Sequence, residues 1–428
     1  MKYYIGIDAG TSAFKAALLD ENGRTTATAE HQLEFIRQGS MVEMSAVGYK
    51  DALFELLRQV AGPHGAEVAG IAISGAAGST LMLDQNDAPS NIISWLDNRM
   101  EGRVPDCLAG IEQMQLRQRT GWPCLSSFPL AHIAWWQKHQ APQLAQAKWV
   151  GLCTDYLLYS LCKRHGMDFS TATTMHLVDQ VKREYCQDYL DRLGLRKEQL
   201  SPLVDSGTCL GEITPEASQA TGLAATAKIY AGAFDHPSAG RGCGVLREGE
   251  MLMSCGTSWV AFVPIADRNW IISHKLLCDP FLSGNGGPYG AMFSIEALGQ
   301  KVEKLVTTHI SAVSSEKYRL FNELAEAAGD DCADEIDMLT CDVPALPRER
   351  LARAIMNGCA SLFAKSLAKL ELPFQPKRAI LAGGPAKSKI WPGIIAKYTG
   401  LAIEVTDSFT GARGAATFAG APAPTKAL

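Results

Sequence analysis

A chain of 428 residues is too long for one ordinary hydrophobic core, so two domains are expected. Its 47% hydrophobic and 20% charged residues are ordinary for a globular protein. A formal net charge of −5 gives no basic field for nucleic acid, and no apolar run is long enough to cross a bilayer.

Met1-Lys2 leads directly into YYIGID, without the basic, apolar and small-residue regions of a signal peptide, so a cytoplasmic location is expected. Residues 3–7 and 16–19 read as strands about a turn-rich centre. Glu21-Asn22-Gly23 turns the chain into a third strand over 25–33, giving an antiparallel meander. Leu53, Leu56, Leu57 and Val60 form one face of a helix over 46–60. Residues 68–73 and 80–84 read as strands about a small-residue loop, with 92–96 as one more. The middle is helix-rich, with 128–139, 155–162 and an amphipathic stretch over 183–193. A strand over 228–231 ends at Gly232, and 233–244 opens a small-residue helix. A second hairpin follows, 251–255 and 259–263, with 270–277 as its third strand. Helices are predicted over 348–370, 390–398 and 411–419, and strands over 379–381 and 402–405. The twelve cysteines, among them Cys107, Cys153, Cys243, Cys255 and Cys359, contain no CxxC pair. They read as small, reduced apolar residues rather than disulfides or zinc ligands.

Two stretches repeat one design. IDAGTSAFKAALLD, from Ile7, and MSCGTSWVAFV, from Met253, each place a Gly-Thr-Ser tip between apolar strands. Such a tip brings backbone N–H groups and hydroxyls close to an anion. Lys15 lies past the first tip as a point charge for phosphate. Asp8, at the end of the first strand, would sit beside that anion. An acid beside phosphate needs a cation between them, and Mg2+ takes one or two carboxylates with phosphate oxygens. The bland reading is two ordinary hairpin turns and a strand-end acid facing water. The GxxxxGK[ST] and GxGxxG fingerprints are absent. In AGAFDHPSAGRGCG, Asp235 follows a strand directly, as a helix N-cap or as a base accepting a substrate hydroxyl proton. His236 beside it reads as structural.

In this order the pieces resemble the FGGY carbohydrate kinases, of the actin- and hexokinase-like superfamily, over about residues 3–420. IDAGTSAFKAALLD resembles the family's first phosphate loop. ISWLDNRM is similar to the segment following the first βα unit. SSFPLAHIAWWQKH resembles half of the family signature, with His132 where Lys is usual. DFSTATTMHLVD, from Asp168, resembles the D-x-S-x-A-S element. YAGAFDHPSAGRGCG resembles the loop bearing the catalytic aspartate, and MSCGTSWVAF the second phosphate loop. LAGGPAKSKIWPGIIAKYTG resembles the adenosine motif, and residues 411–416 the closing helix.

The resemblance implies an α/β fold of two actin-like (ribonuclease H-like) domains, each a mixed sheet with flanking helices, with a cleft between them. The expected domains are 1–245 and 246–428. It implies ATP and Mg2+ as cofactors and phosphorylation of a hydroxyl on a ketose or polyol, pentulose-like favoured. Asp235 would be the base, with Asp8 and Asp235 facing the metal. Gly10, Thr11, Ser12, Lys15, Gly256, Thr257, Ser258, Gly383, Gly384 and Lys387 would hold the nucleotide. Asp97, Arg99, Asp168 and Asp235 would line the sugar, with Trp95 nearby. A small-molecule sugar or polyol is the expected partner, with neither nucleic acid nor membrane, and a homodimer stays open.

Three departures stand against the family pattern. ISGAAGST carries Ala76, Ala77 and Gly78 where polar residues are usual, which argues against an ordinary xylulokinase. The G-E-R-x-P stretch is missing between Asp337 and Arg348, which puts the outer wall of the nucleotide pocket in question. Asn357 replaces an acid common in the ARAIMNG helix. They motivate an alternative, a nucleotide- or sugar-binding regulator without turnover. An actin-like or chaperone-like ATPase is a third reading, disfavoured by the segments around 128–179 and Asp235.

Overall fold

The computed structural model describes residues 1–76, 78–101 and 106–423, the side chain of Cys107 excepted. They form two compact units. The first takes Met1–Gly244, Asp267–Gly290 and the stretch from Phe409; the second takes Val245–Ala266 and Ala291–Ser408. Two stretches beyond the expected join at 245/246 thus belong to the first unit.

We number the strands of the two main sheets. In the first unit these are β1 (Tyr3–Ala9), β2 (Ala13–Asp20), β3 (Thr25–Gln32), β4 (Val68–Gly75), β5 (Cys209–Glu212) and β6 (Lys228–Phe234), in the order β5-β6-β4-β1-β2-β3. The first three form the expected meander, while β4 runs parallel to both β1 and β6. Ile5, Ile7 and Ile71 are fully buried, as central strands covered on both faces require. Tyr49, Leu53, Leu56 and Leu57 of the Ala46–Ala61 helix join that core. Ser45 caps this helix, accepting from the Gly48 N–H. The Thr410–Phe418 helix packs against β1 and crosses the Asp235–Gly242 helix. A second core gathers Leu130, Ile133, Trp136, Leu177, Tyr189 and Leu190.

In the second unit, β7 (Glu250–Cys255), β8 (Trp259–Ile265), β9 (Tyr289–Ile295), β10 (Arg378–Gly383) and β11 (Ala402–Val405) take the order β9-β8-β7-β10-β11. An antiparallel β7–β8 hairpin is extended by parallel β10 and β11. Each unit therefore joins a hairpin to parallel strands, which is the repeat foreseen from the two Gly-Thr-Ser tips. No helix among the described residues is long and apolar enough to cross a membrane.

Two expectations need correction. The amphipathic stretch 183–193 is helical only over Gln187–Leu193. Arg183 adopts a left-handed backbone at φ 58°, and Glu184–Tyr185 pairs with Val178–Asp179. The third strand expected over 270–277 is largely a helix, Arg268–Ser273. Asp267 caps it by accepting from the N–H groups of Asn269 and Trp270, so the cap outweighs the β propensity of Trp270, Ile271 and Ile272. Helices Leu298–His309 and Lys317–Ala327 were not foreseen.

Candidate active site

Asp8 and Lys15 sit directly opposite each other on β1 and β2, so their side chains emerge on the same face. The Asp8 carboxyl is pushed up to about 7, first by burial and then by the charge of Asp235, with Lys15 pulling it down. Its Oδ1 is buried without a hydrogen-bond partner. Its Oδ2 faces Gly411, where a Cβ would stand 2.4 Å away, so only glycine leaves the carboxylate in place. An orphaned carboxylate oxygen fits a hydrated cation. No cluster of three or more His, Cys, Asp or Glu residues capable of holding a metal occurs among the described residues. The arrangement suits Mg2+, which takes few protein ligands, and not an ion needing an all-protein cage.

Asp235 is aimed by an irregularity in β6. The pairing of β6 with β4 shifts between Ala231 and Phe234, and a Cβ on Gly232 would meet the Ile73 carbonyl at 2.2 Å. Bulges of this kind redirect side chains. The N–H groups freed from the ladder are taken by hydroxyls: Ala233 donates to Ser74 Oγ at 3.0 Å and Phe234 to Ser170 Oγ at 3.1 Å. The helix then begins at Asp235 itself. The Asp235 side chain is 28% exposed, so a substrate can reach it. Its Oδ1 accepts from the His236 N–H at 2.6 Å, and the His236 ring lies 3.9 Å away. Desolvation raises its pKa, while His236 lowers it.

A residue the sequence reading missed joins this site. Ser170, which accepts from Phe234, donates its own proton to Asp279 Oδ2 at 2.7 Å. Asp279 Oδ1 accepts from the Phe281 N–H at 2.7 Å. Asp279 is fully buried and pushed up to about 7 by burial, with Asp168 and Asp235 adding to the rise. Asp168 caps a short helix by accepting from Thr171 N–H at 2.8 Å, and burial lifts it to about 6. A carboxyl with a raised folded pKa keeps its proton where the unfolded chain has released it. Its favourable contribution is full below the unfolded value of about 4 and is lost as pH rises through about 7. The melting temperature of the ligand-free chain is expected to fall between pH 5 and pH 8, and Asp279→Asn is expected to flatten that fall. An equal slope in both proteins would show that Asp279 carries no such proton.

The other expected residues divide. The Trp95 indole N–H donates to Thr11 Oγ1 at 2.9 Å, which ties the first hairpin tip to the segment beyond β4. Gly10 and Thr11 are half-buried and Ser12 is exposed. Asp97 and Arg99 are engaged with protein instead of lining an open site. Asp97 accepts from Val42 N–H at 2.7 Å and from Arg99 Nε at 2.8 Å, and Arg99 also reaches Glu43 at 2.6 Å. His132 is fully buried, bonded through Nδ1 to Thr80, and held neutral with a pKa near 3 by burial. A lysine there would have to bury its charge. Gly78 is small because the Phe128 ring and the Trp95 Cβ close over it, within 3.1 Å of where a Cβ would be. Ala77 lies outside the described residues.

The second unit holds a cavity of about 850 Å3. Gly256, Thr257, Gly384 and Lys387, all expected at the nucleotide, line it with Trp259 and Trp391. Gly383 lies beneath, at φ 94°, with its backbone against the Cys255 carbonyl. The Ser258 hydroxyl instead accepts from Ala297 N–H at 3.0 Å. The outer wall left in question by the missing Pro-rich stretch comes from the Lys317–Ala327 helix, through Tyr318, Phe321 and Asn322. Asn357 also gains a reason. Its amide donates to the carbonyls of Cys332 at 3.0 Å and Asp334 at 2.9 Å, which a carboxylate could not do.

Residues 3–242 match the family model described as the FGGY family of carbohydrate kinases, N-terminal domain. The chain is 28% identical over 267 residues to the xylulose kinase of Bacillus subtilis, an alignment covering 61% of this chain and 53% of that protein. It is 27% identical over 437 residues to the xylulose kinase of Escherichia coli, covering 93% of this chain and 85% of that one. The chain thus spans about half the length of the first of these relatives and most of the second. The crystal structure of xylulose kinase from Rhodospirillum rubrum superposes with a TM-score of 0.85 at 21% identity, over 97% of this chain and 89% of that one. A likeness at that identity establishes the fold: α/β, with two actin-like domains.

Proposed function

The chain belongs to the FGGY family of carbohydrate kinases, and from that premise we propose that it transfers the γ-phosphate of ATP to a hydroxyl of a small carbohydrate, a ketose or polyol with a pentulose favoured. Asp235 takes the proton of the attacking hydroxyl as the oxygen reaches phosphorus. The observation that carries this role is its placement: a reachable carboxylate at the first residue of a helix, on a bulged strand end, electrostatically coupled to Asp8. Asp8 and Asp235 would hold Mg2+ through its waters, and the metal would supply charge neutralisation for the transferring group. Lys15 and the amides of the first tip would steady phosphate oxygens. The cavity in the second unit would take the adenosine, between Trp391 and the helix bearing Tyr318 and Asn322. The need for ATP as a substrate supports a cytoplasmic enzyme.

The test is ADP release across a panel of ketoses and polyols. Turnover with one sugar supports the kinase. Tight ATP binding with no turnover across the panel would favour a regulator on the same scaffold, and hydrolysis without sugar would favour an ATPase.

Gly384 tests the nucleotide half separately. It is exposed on the cavity wall, and a Cβ there would meet nothing within 4 Å. Gly384→Trp is therefore expected to fold with an unchanged melting temperature while filling the cavity, weakening ATP binding by at least about tenfold. Unchanged affinity by titration calorimetry would move the adenosine elsewhere.

A further inference from the structure

The first unit holds a second cavity, of about 180 Å3, away from the Asp8–Asp235 pair. Arg183, Asp205, Ser206, Arg241, Asn285 and Thr417 supply its polar wall. Arg183 lies over the Phe169 ring at 3.8 Å and is paired with Asp205. Arg241 is different. It is half-buried, lies over Phe418 at 4.8 Å, and donates from Nε to Thr417 Oγ1 at 2.8 Å. The Thr417 hydroxyl spends its own proton on the Gly414 carbonyl at 2.7 Å, so it can only accept from the guanidinium. Arg241 forms no ion pair among the described residues. Burial lowers its pKa, the mark of a charge with too little compensation. Two guanidinium groups thus face the cavity against one carboxylate.

We propose that this cavity binds a small oxyanion, the phosphate of inorganic phosphate or of a small phosphorylated metabolite, with Arg241 as its main charge partner. A half-buried guanidinium without a counter-ion loses part of its hydration uncompensated, and a bound anion offsets that loss. Its planar fork matches two phosphate oxygens, while the Ser206 hydroxyl and Asn285 amide offer neutral donors. The site also touches the catalytic shell. Ser170 and Phe281 line the cavity, and these residues hold Asp279 and, through Ser170, the N–H of Phe234 next to Asp235. An occupant would therefore press on the hydrogen bonds that fix the proposed base. The assignment itself does not depend on kinase activity.

The test is calorimetric titration of inorganic phosphate, and separately of ribose 5-phosphate, into the full chain without nucleotide. Arg241→Gln is expected to weaken binding at least tenfold, while Thr11→Val and Thr257→Val, at the two hairpin tips, leave it within twofold. Tighter binding of the monoester would identify a metabolite as the occupant, and equal binding would identify free phosphate. Arg183→Gln, at the other lining arginine, is expected to weaken binding as well and serves if Arg241→Gln does not fold. Undetectable binding of both probes to the wild type at millimolar concentration overturns the proposal. So does unchanged affinity in the arginine variants, or a loss confined to the hairpin-tip variants.

Discussion

Asp235→Asn is expected to lower kcat with the true sugar by about 10³-fold, the range for losing a positioned general base, while ATP affinity stays within about twofold. Asparagine keeps the shape and can still accept from the His236 N–H, so the helix start is preserved. What disappears is an oxygen able to take a proton, while the amide oxygen can still face a metal-bound water. The cavity proposed for the nucleotide belongs to the other unit and contains none of the residues around Asp235. The measurement is single-turnover phosphoryl transfer beside ATP titration. A variant that phosphorylates at near wild-type rate removes the base assignment. A variant that loses turnover and ATP affinity together points to unfolding instead.

The parts of this site legible in the sequence are those set by neighbours along the chain. Asp8, Thr11 and Lys15 share one hairpin, and Asp235 follows its strand directly, so short-range pattern was enough. Asp279 was not legible. LLCDPF reads as a strand end before a proline, and the aspartate matters only because it meets Ser170, 109 residues away. The partners of the Asp97–Arg99 pair were hidden for the same reason. Two charges beside a tryptophan suggest a ligand, yet Val42 N–H and Glu43, which occupy them, lie more than fifty positions earlier. In the second unit the glycine tip was visible, and the helices walling the cavity were equally legible but were missed: Leu298, Val302, Leu305 and Val306 recur at helical spacing along one of them. Phe321 and Ala325 are the buried residues of the Lys317–Ala327 helix. Phe321 also lines the cavity, with Tyr318 and Asn322.

Gly414→Val is expected to destabilise the first unit strongly, costing about 3–5 kcal/mol and abolishing activity with it. The Thr410–Phe418 and Asp235–Gly242 helices cross so closely that backbone meets backbone. A Cβ on Gly414 would stand 1.8 Å from the Ser238 carbonyl oxygen, and one on Gly242 would stand 1.9 Å from that of Thr410. No rotamer relieves a clash at Cβ, so the helices must separate. Separation strips the buried faces of Ala412, Ala415 and Ala416 and moves Gly411 away from the Asp8 carboxylate. Fold and site fail together because one crossing serves both. Gly393 supplies the control, since it lies in the Trp391–Thr399 helix with nothing within 4 Å of a Cβ. Gly393→Ala removes conformational freedom from the unfolded chain at no steric cost, so it is expected to stabilise by about 0.4–1 kcal/mol. Urea unfolding of the two variants should therefore shift in opposite directions. If Gly414→Val unfolds at the wild-type midpoint, the helices do not cross at this distance, and the placement of Asp8 beside Asp235 loses its support.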